Sequence, residues 1–146
     1  ISKDNLLFKE GKLYFVLTDD SFQYFHAAYA YSYFFQQYYR LDGDSVMAAN
    51  HDFTAQLTKA GDDCKAKITT APAQPDDNGN YWLNDLVCYI ANYTLAGKQA
   101  VALNDFNGFF NTFFPGGSGK DAFGEIITRD ALKQEIVEVL KNDKFK

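Results

Sequence analysis

The chain has 146 residues, of which 47% are hydrophobic and 23% charged, with a formal net charge of -5. That length and apolar content support one domain with its own core and exclude a disordered chain. The acidic balance and the lack of any basic block exclude binding along a phosphate backbone, which needs a basic stripe. No apolar run approaches the roughly 20 residues of a membrane-spanning helix.

Aromatic residues are unusually frequent: 14 Phe, 10 Tyr and one Trp make up 17% of the chain. A core of this size is expected to hide only part of them, leaving the rest to line a contact surface. Acidity is concentrated between Asp42 and Asn80, in loops or on a face turned to a basic partner. The chain begins at Ile1, not Met, which reads as a targeting peptide removed, with a trimmed start as the alternative.

In chain order, Leu6-Leu7-Phe8 and Leu13-Tyr14-Phe15-Val16-Leu17 flank Lys9-Glu10-Gly11-Lys12. They form either a small hairpin or an extended arm packed on helices. Asp19, Asp20 and Ser21 offer N-caps for a helix from about Ser21 to Leu41. Phe22, Phe25, Tyr29, Phe35 and Tyr39 lie at helical spacing on it. Tyr24, Tyr31, Phe34 and Tyr38 occupy its other faces, so it would be central or would reach a partner. Asp42-Gly43-Asp44 ends that helix, and Ser45 caps a second one to about Ala60, with Gly61 as its C-cap.

Pro72, Pro75 and Asp76-Asp77-Asn78-Gly79-Asn80 mark a loop. A third helix is predicted over Tyr81 to Leu95, on the stripe Trp82, Leu86, Ile90 and Tyr93. A fourth runs from Lys98 to Phe114, with Val101, Phe106, Phe109, Phe110 and Phe113. Pro115-Gly116-Gly117-Ser118-Gly119 reads as a flexible linker. A last amphipathic helix, Thr128 to Asn142, carries Leu132, Ile136, Val139 and Leu140. The expected fold is therefore mainly α: a four-helix up-down bundle with an N-terminal arm over 1–114, a glycine-rich linker over 115–119 and a helical tail over 120–146.

Motifs that carry chemistry are lacking. Gly119-Lys120 has no glycine five residues before Gly119, and Asp121 stands where a P-loop has Ser or Thr. Asp76, Asn78 and Asn80 have the spacing of an EF-hand, but Tyr81 replaces its glycine and Val87 its glutamate. His26 and His51 lie on different predicted helices with no neighbouring nucleophile, and read as core or surface imidazoles. Neither stands in a CxxCH haem-attachment motif. Asn92-Tyr93-Thr94 matches a glycosylation sequon but falls within a predicted helix. Cys64 and Cys88 either pair in an oxidising compartment or stay as small apolar thiols, and two Cys with two His make no zinc site.

The segment Trp82-Leu83-Asn84-Asp85-Leu86, followed by Tyr89, Tyr93 and Leu95, resembles a helix of PsbQ-like proteins. The predicted layout, a four-helix domain with a glycine linker and a helical tail, is similar to the diatom-type extrinsic proteins of photosystem II in that family. The chain departs from the family at Val87, where those proteins carry arginine. The resemblance implies a non-catalytic subunit without metal or cofactor, peripheral to the membrane in the thylakoid lumen. It would dock on the core subunits of photosystem II and stabilise oxygen evolution.

Lysines would steer that docking onto acidic loops, and the candidates are Lys98, Lys120, Lys133, Lys141 and Lys144. The aromatic anchors would be Tyr31, Phe34 and Tyr38. The alternative expectation is a secreted helical carrier of an apolar ligand such as a lipid or pigment, held between facing aromatic helices.

Overall fold

The computed structural model describes residues 5–23, 25–26, 33–70, 80–121 and 123–141. They form a mixed α and β domain. Strands β1 (Leu6–Lys9), β2 (Lys12–Phe22), β3 (Tyr33–Asp42) and β4 (Ser45–Ala48) make an antiparallel sheet in sequential order. A short 3-10 helix, Asn50–Phe53, leads into α1 (Thr54–Thr70), followed by α2 (Asn80–Leu95) and α3 (Gln99–Phe113). A two-stranded hairpin, β5 (Ser118–Lys120) with β6 (Ile126–Thr128), then leads into α4 (Arg129–Leu140).

This corrects the expected four-helix bundle, because its first two helices are largely absent. The segment read as one helix from Ser21 to Leu41 contains the end of β2 and nearly all of β3. Rings stand at positions 33, 34, 35, 38 and 39, so the apolar residues satisfy a period of two as well as a helical one. Aromatic side chains favour the pleated surface once a partner strand is available, and β2 supplies it through Tyr14↔Arg40 to Phe22↔Tyr33. The second expected helix begins nine residues late. Ser45–Ala48 is a strand paired to β3, and Thr54 opens the helix.

Of the two N-terminal readings, the hairpin is the one observed. Glu10 and Gly11 form its two-residue turn, both at positive φ (51° and 76°). That is the backbone a tight hairpin requires, and glycine adopts it without strain. At the second turn Gly43 takes φ 61°, and β4 folds back on β3 from Asp42↔Ser45.

The core centres on α2, which packs against α1, α3, α4 and β3. Leu86, Tyr89, Ile90 and Ala91 are wholly buried. Trp82 is enclosed by the rings of Phe110, Phe113 and Phe114. The presumed linker is ordered: a turn at Pro115–Gly116 leads into β5, with Gly119 directly beneath the Phe114 ring. The last helix packs on the domain, with Leu132 and Ile136 fully buried. Cys64 of α1 and Cys88 of α2 are joined by a disulfide, their Cα atoms 6.1 Å apart.

Most of the described rings are buried or half-buried, and only Phe8 and Phe123 are exposed. Among the described residues the expected aromatic surplus therefore lies inside the molecule.

Candidate functional site

Strand register sorts the sheet residues into faces, because side chains alternate along each strand. One row across all four strands is Leu6, Phe15, Tyr39 and Ala48, joined by the pairs Leu6↔Phe15, Phe15↔Tyr39 and Tyr39↔Ala48. Two residues nearer the hairpin turns, Phe8 pairs with Leu13 and Leu41 with Val46, which makes a second row on the same face. Leu17 continues that face one step further along β2.

All nine residues are apolar, and six are exposed: Leu6, Phe8, Leu17, Leu41, Val46 and Ala48. Phe8 is 80% exposed and Val46 57%, values that mark uncovered side chains and not core. Phe15 and Tyr39 stack at the centre, with ring centroids 5.3 Å apart and planes within 15°.

β1 pairs only with β2, and β4 with β3, so these two strands form the outer edges of the sheet. Nearer the helices the same face of β3 turns inward and buries Phe35 and Gln37. A polar relay secures that inner half. Asn50 donates to Gln37 Oε1 (3.3 Å), Gln37 donates to Asp19 Oδ2 (2.9 Å), and Asn50 Oδ1 accepts the Tyr38 amide (2.8 Å).

The opposite face is covered over Tyr14 and Tyr38, while Leu7 and Met47 at its margins are exposed. Phe53 lies between the rings of Tyr14 and Tyr38, at 4.9 and 4.0 Å between centroids. Tyr14 donates to Asp52 Oδ2 (2.8 Å), the Arg40 guanidinium lies 3.5 Å from the same oxygen, and Lys9 donates to the Asp52 carbonyl. The Tyr14 hydrogen bond, with the nearby cationic charges, holds the Asp52 carboxyl below its usual range despite partial desolvation. Open hollows of about 270 and 360 Å³ flank Tyr38 and Gln56 between this face and α1. The first lies below the usual range for ligand pockets and the second at its small end.

The expected docking residues do not come together. Lys98 precedes α3, donates to Thr58 Oγ1 (3.2 Å) and lies over the Tyr93 ring. Lys120 is exposed on β5, while Lys133 and Lys141 belong to the α4 region, Lys141 paired with Glu138 at 3.1 Å. Lys144 and Tyr31 lie outside the described residues. Phe34 lines the smaller hollow, and Tyr38 is stacked on Phe53, so neither is a free anchor. The face residues Leu6, Phe8, Leu41 and Val46 were missed. The sequence signal for them was slight: Tyr39-Arg40-Leu41 alternates, but the runs at 13–17 and 46–48 are apolar throughout and mark no face.

His26 is held between two carboxylates, Nδ1 at 2.7 Å from Asp121 Oδ2 and Nε2 at 2.6 Å from Glu135 Oε2. Desolvation disfavours its charge, but the two hydrogen bonds and the acidic charges outweigh it and raise the imidazole pKa. Asp121 also accepts the amides of Phe123 and Glu125. This is a clamp between the segment after β2 and the C-terminal elements, with no nucleophile bonded to the imidazole. Among the described residues no three His, Cys, Asp or Glu side chains are grouped to hold a metal ion.

The segment read as resembling PsbQ-like proteins lies on α2, with its apolar residues facing inward. Trp82, Leu83 and Leu86 are buried, and Val87 is 2% exposed, so a charged side chain at that position would be enclosed. Asn92 of the sequon is also buried and donates to Tyr33 Oη and the Cys88 carbonyl. No helix among the described residues is long and apolar enough to cross a membrane. Neither protein-family models, nor curated proteins, nor solved structures give a match to this chain.

Proposed function

We propose that this chain is a non-catalytic protein-docking module whose contact surface is the open apolar face of β1–β4. The observation that carries this reading is the pair of rows in register, Leu6-Phe15-Tyr39-Ala48 and Phe8-Leu13-Leu41-Val46, in which Leu6, Phe8, Leu41, Val46 and Ala48 are exposed around a buried Phe15. Isolated exposed hydrophobics need no explanation, but a contiguous apolar face does, since leaving it in water sacrifices the burial that drives association. Stacked Phe15 and Tyr39 make a firm floor, and the polar relay behind them holds β2 and β3 in place. A rigid face of this kind binds without a large ordering cost.

The disulfide between Cys64 and Cys88 favours an oxidising compartment for this work. With the bundle gone, the layout half of the likeness to extrinsic photosystem II proteins is gone too. Attachment to that complex then rests on one inward-facing helix.

The test is a photo-crosslinking amino acid placed at Val46 in the native host, with the same label at Gln134 on the exposed side of α4 as control. Adducts to a protein from Val46 and none from Gln134 are expected. Equal labelling from both positions, or none from Val46, would overturn the reading.

A further inference from the structure

We infer that the hollow of about 270 Å³ between β3 and α1 is a binding site for a neutral sugar unit. The site is separate from the apolar face and does not rest on the docking reading. It exists because β4 pairs only along Tyr39–Asp42. The first half of β3 therefore has no strand on that edge, and Gln56, Leu57 and Ala60 of α1 lie across the gap.

Asn92 of α2 lines this hollow and is 3% exposed. Its Nδ2 spends both protons, on Tyr33 Oη and on the Cys88 carbonyl, each at 2.8 Å. Its Oδ1 accepts no hydrogen bond among the described residues. The one described side-chain polar atom that is fully enclosed without a partner is Trp82 Nε1, so Asn92 Oδ1 opens onto the hollow. Tyr33 supplies the converse group. Its Oη accepts from Asn92, and its own proton has no acceptor among the described residues. A hydroxyl satisfies this donor and this acceptor through one oxygen, whereas a carboxylate cannot donate and an ammonium cannot accept.

The rest of the lining agrees. The amides of Gln36 and Gln56 and the hydroxyl of Tyr38 have no hydrogen-bond partner among the described residues. Burial raises the Tyr33 and Tyr38 phenols above their ordinary range, so both keep their protons as donors. No charged side chain lines the hollow, and an ion there would be desolvated without a counter-charge. Phe34, Tyr38 and Leu57 give an apolar wall for the C–H face of a ring. A purely apolar ligand would leave Asn92 and Tyr33 unpaired. The volume is less than a drug-sized ligand needs and suits one pyranose ring. The hollow of about 360 Å³ shares Tyr38 and Gln56 and leaves room for a following unit.

The experiment is titration of the isotope-labelled chain with methyl α-glucopyranoside, methyl α-galactopyranoside and methyl α-mannopyranoside, read at the side-chain amides of Asn92, Gln36 and Gln56. Saturable shifts at these amides, with a millimolar Kd for at least one glycoside, are expected. Tyr33→Phe should weaken that binding by about tenfold, the effect of one lost hydrogen bond to a hydroxyl. Gln36→Ala with Gln56→Ala, both at exposed positions, should weaken it to a similar degree, while Gln134→Ala on α4 should leave it unchanged. Circular dichroism confirms that each variant is folded. No shift at these amides with any of the glycosides overturns the proposal, as does binding that the double glutamine variant retains in full. Tighter binding of tetrahydropyran or of glucuronate at the same amides overturns the neutral-sugar assignment.

Discussion

A Cβ placed on Gly61 of α1 would lie 2.6 Å from Cδ1 of Tyr93 on α2, so the ring occupies the space a side chain would need. Gly61 was read as a helix end, yet it sits in mid-helix and lets α1 and α2 approach closely. The Tyr93 hydroxyl, donating to Asp62 beside it, is pushed up to about 12 by that bond and by desolvation. Alanine at position 61 should therefore destabilise by about 1–3 kcal/mol through overpacking, despite its better helix propensity. Alanine at Gly108, where nothing lies within 4 Å, should instead stabilise by up to ~1 kcal/mol. Urea unfolding of the two variants checks the opposite signs.

The disulfide between Cys64 and Cys88 closes a loop across a sequence separation of 24 residues that includes the polar segment between α1 and α2. Chain-entropy reasoning gives it about 3 kcal/mol of stabilisation. The double variant Cys64→Ser with Cys88→Ser should show that loss in denaturant titration. Reductant should weaken the wild type by a similar amount and leave the variant unchanged.

His26 makes stability depend on pH. Its folded pKa is raised above the ordinary 6.5, so its contribution is complete below that value and fades as pH rises through the folded pKa. Asp121 is held below its ordinary 3.8, because the His26 and backbone hydrogen bonds outweigh desolvation. Its contribution is present above 3.8 and fades as pH falls through its folded pKa. The clamp is thus strongest between those values. Going from about pH 5.5 to about pH 8.5, wild type should lose more stability than His26→Gln, by roughly 1 kcal/mol. Thermal melts of both proteins at the two pH values measure the difference.

Asn50 links the 3-10 helix to β3 by accepting the Tyr38 amide and donating to Gln37. It is 4% exposed, so water cannot readily replace it. Asn50→Ala should cost about 1–3 kcal/mol by leaving buried polar groups unpaired. Hydrogen exchange should show the Tyr38 amide losing protection while amides at the centre of α2 keep theirs.

The readable parts of this fold were those with a single apolar period. The stripe Trp82, Leu86, Ile90 and Tyr93 suits only a helix, and α2 spans Asn80–Leu95. The same holds for α3 and for α4, whose buried Leu132, Ile136 and Leu140 recur at helical spacing. Tyr33–Asp42 was unreadable because its rings, at positions 33, 34, 35, 38 and 39, meet either period, and no proline or glycine interrupts them. The candidate site failed with it, since a face shared by four strands has no meaning along a supposed helix.

Composition, charge and local periodicity determined, without coordinates, that this is an acidic, aromatic-rich domain with three of its four helices, and left its start open between a hairpin and an extended arm. Those features arise from contacts between neighbours a few residues apart. The tertiary structure alone decided that the aromatic stretch after Tyr33 is a strand, that most rings turn inward, and that Leu6, Phe8, Leu41 and Val46 share an open face. Pairing between distant strands sets those outcomes, because register assigns each side chain to a face, and register is a property of two segments together.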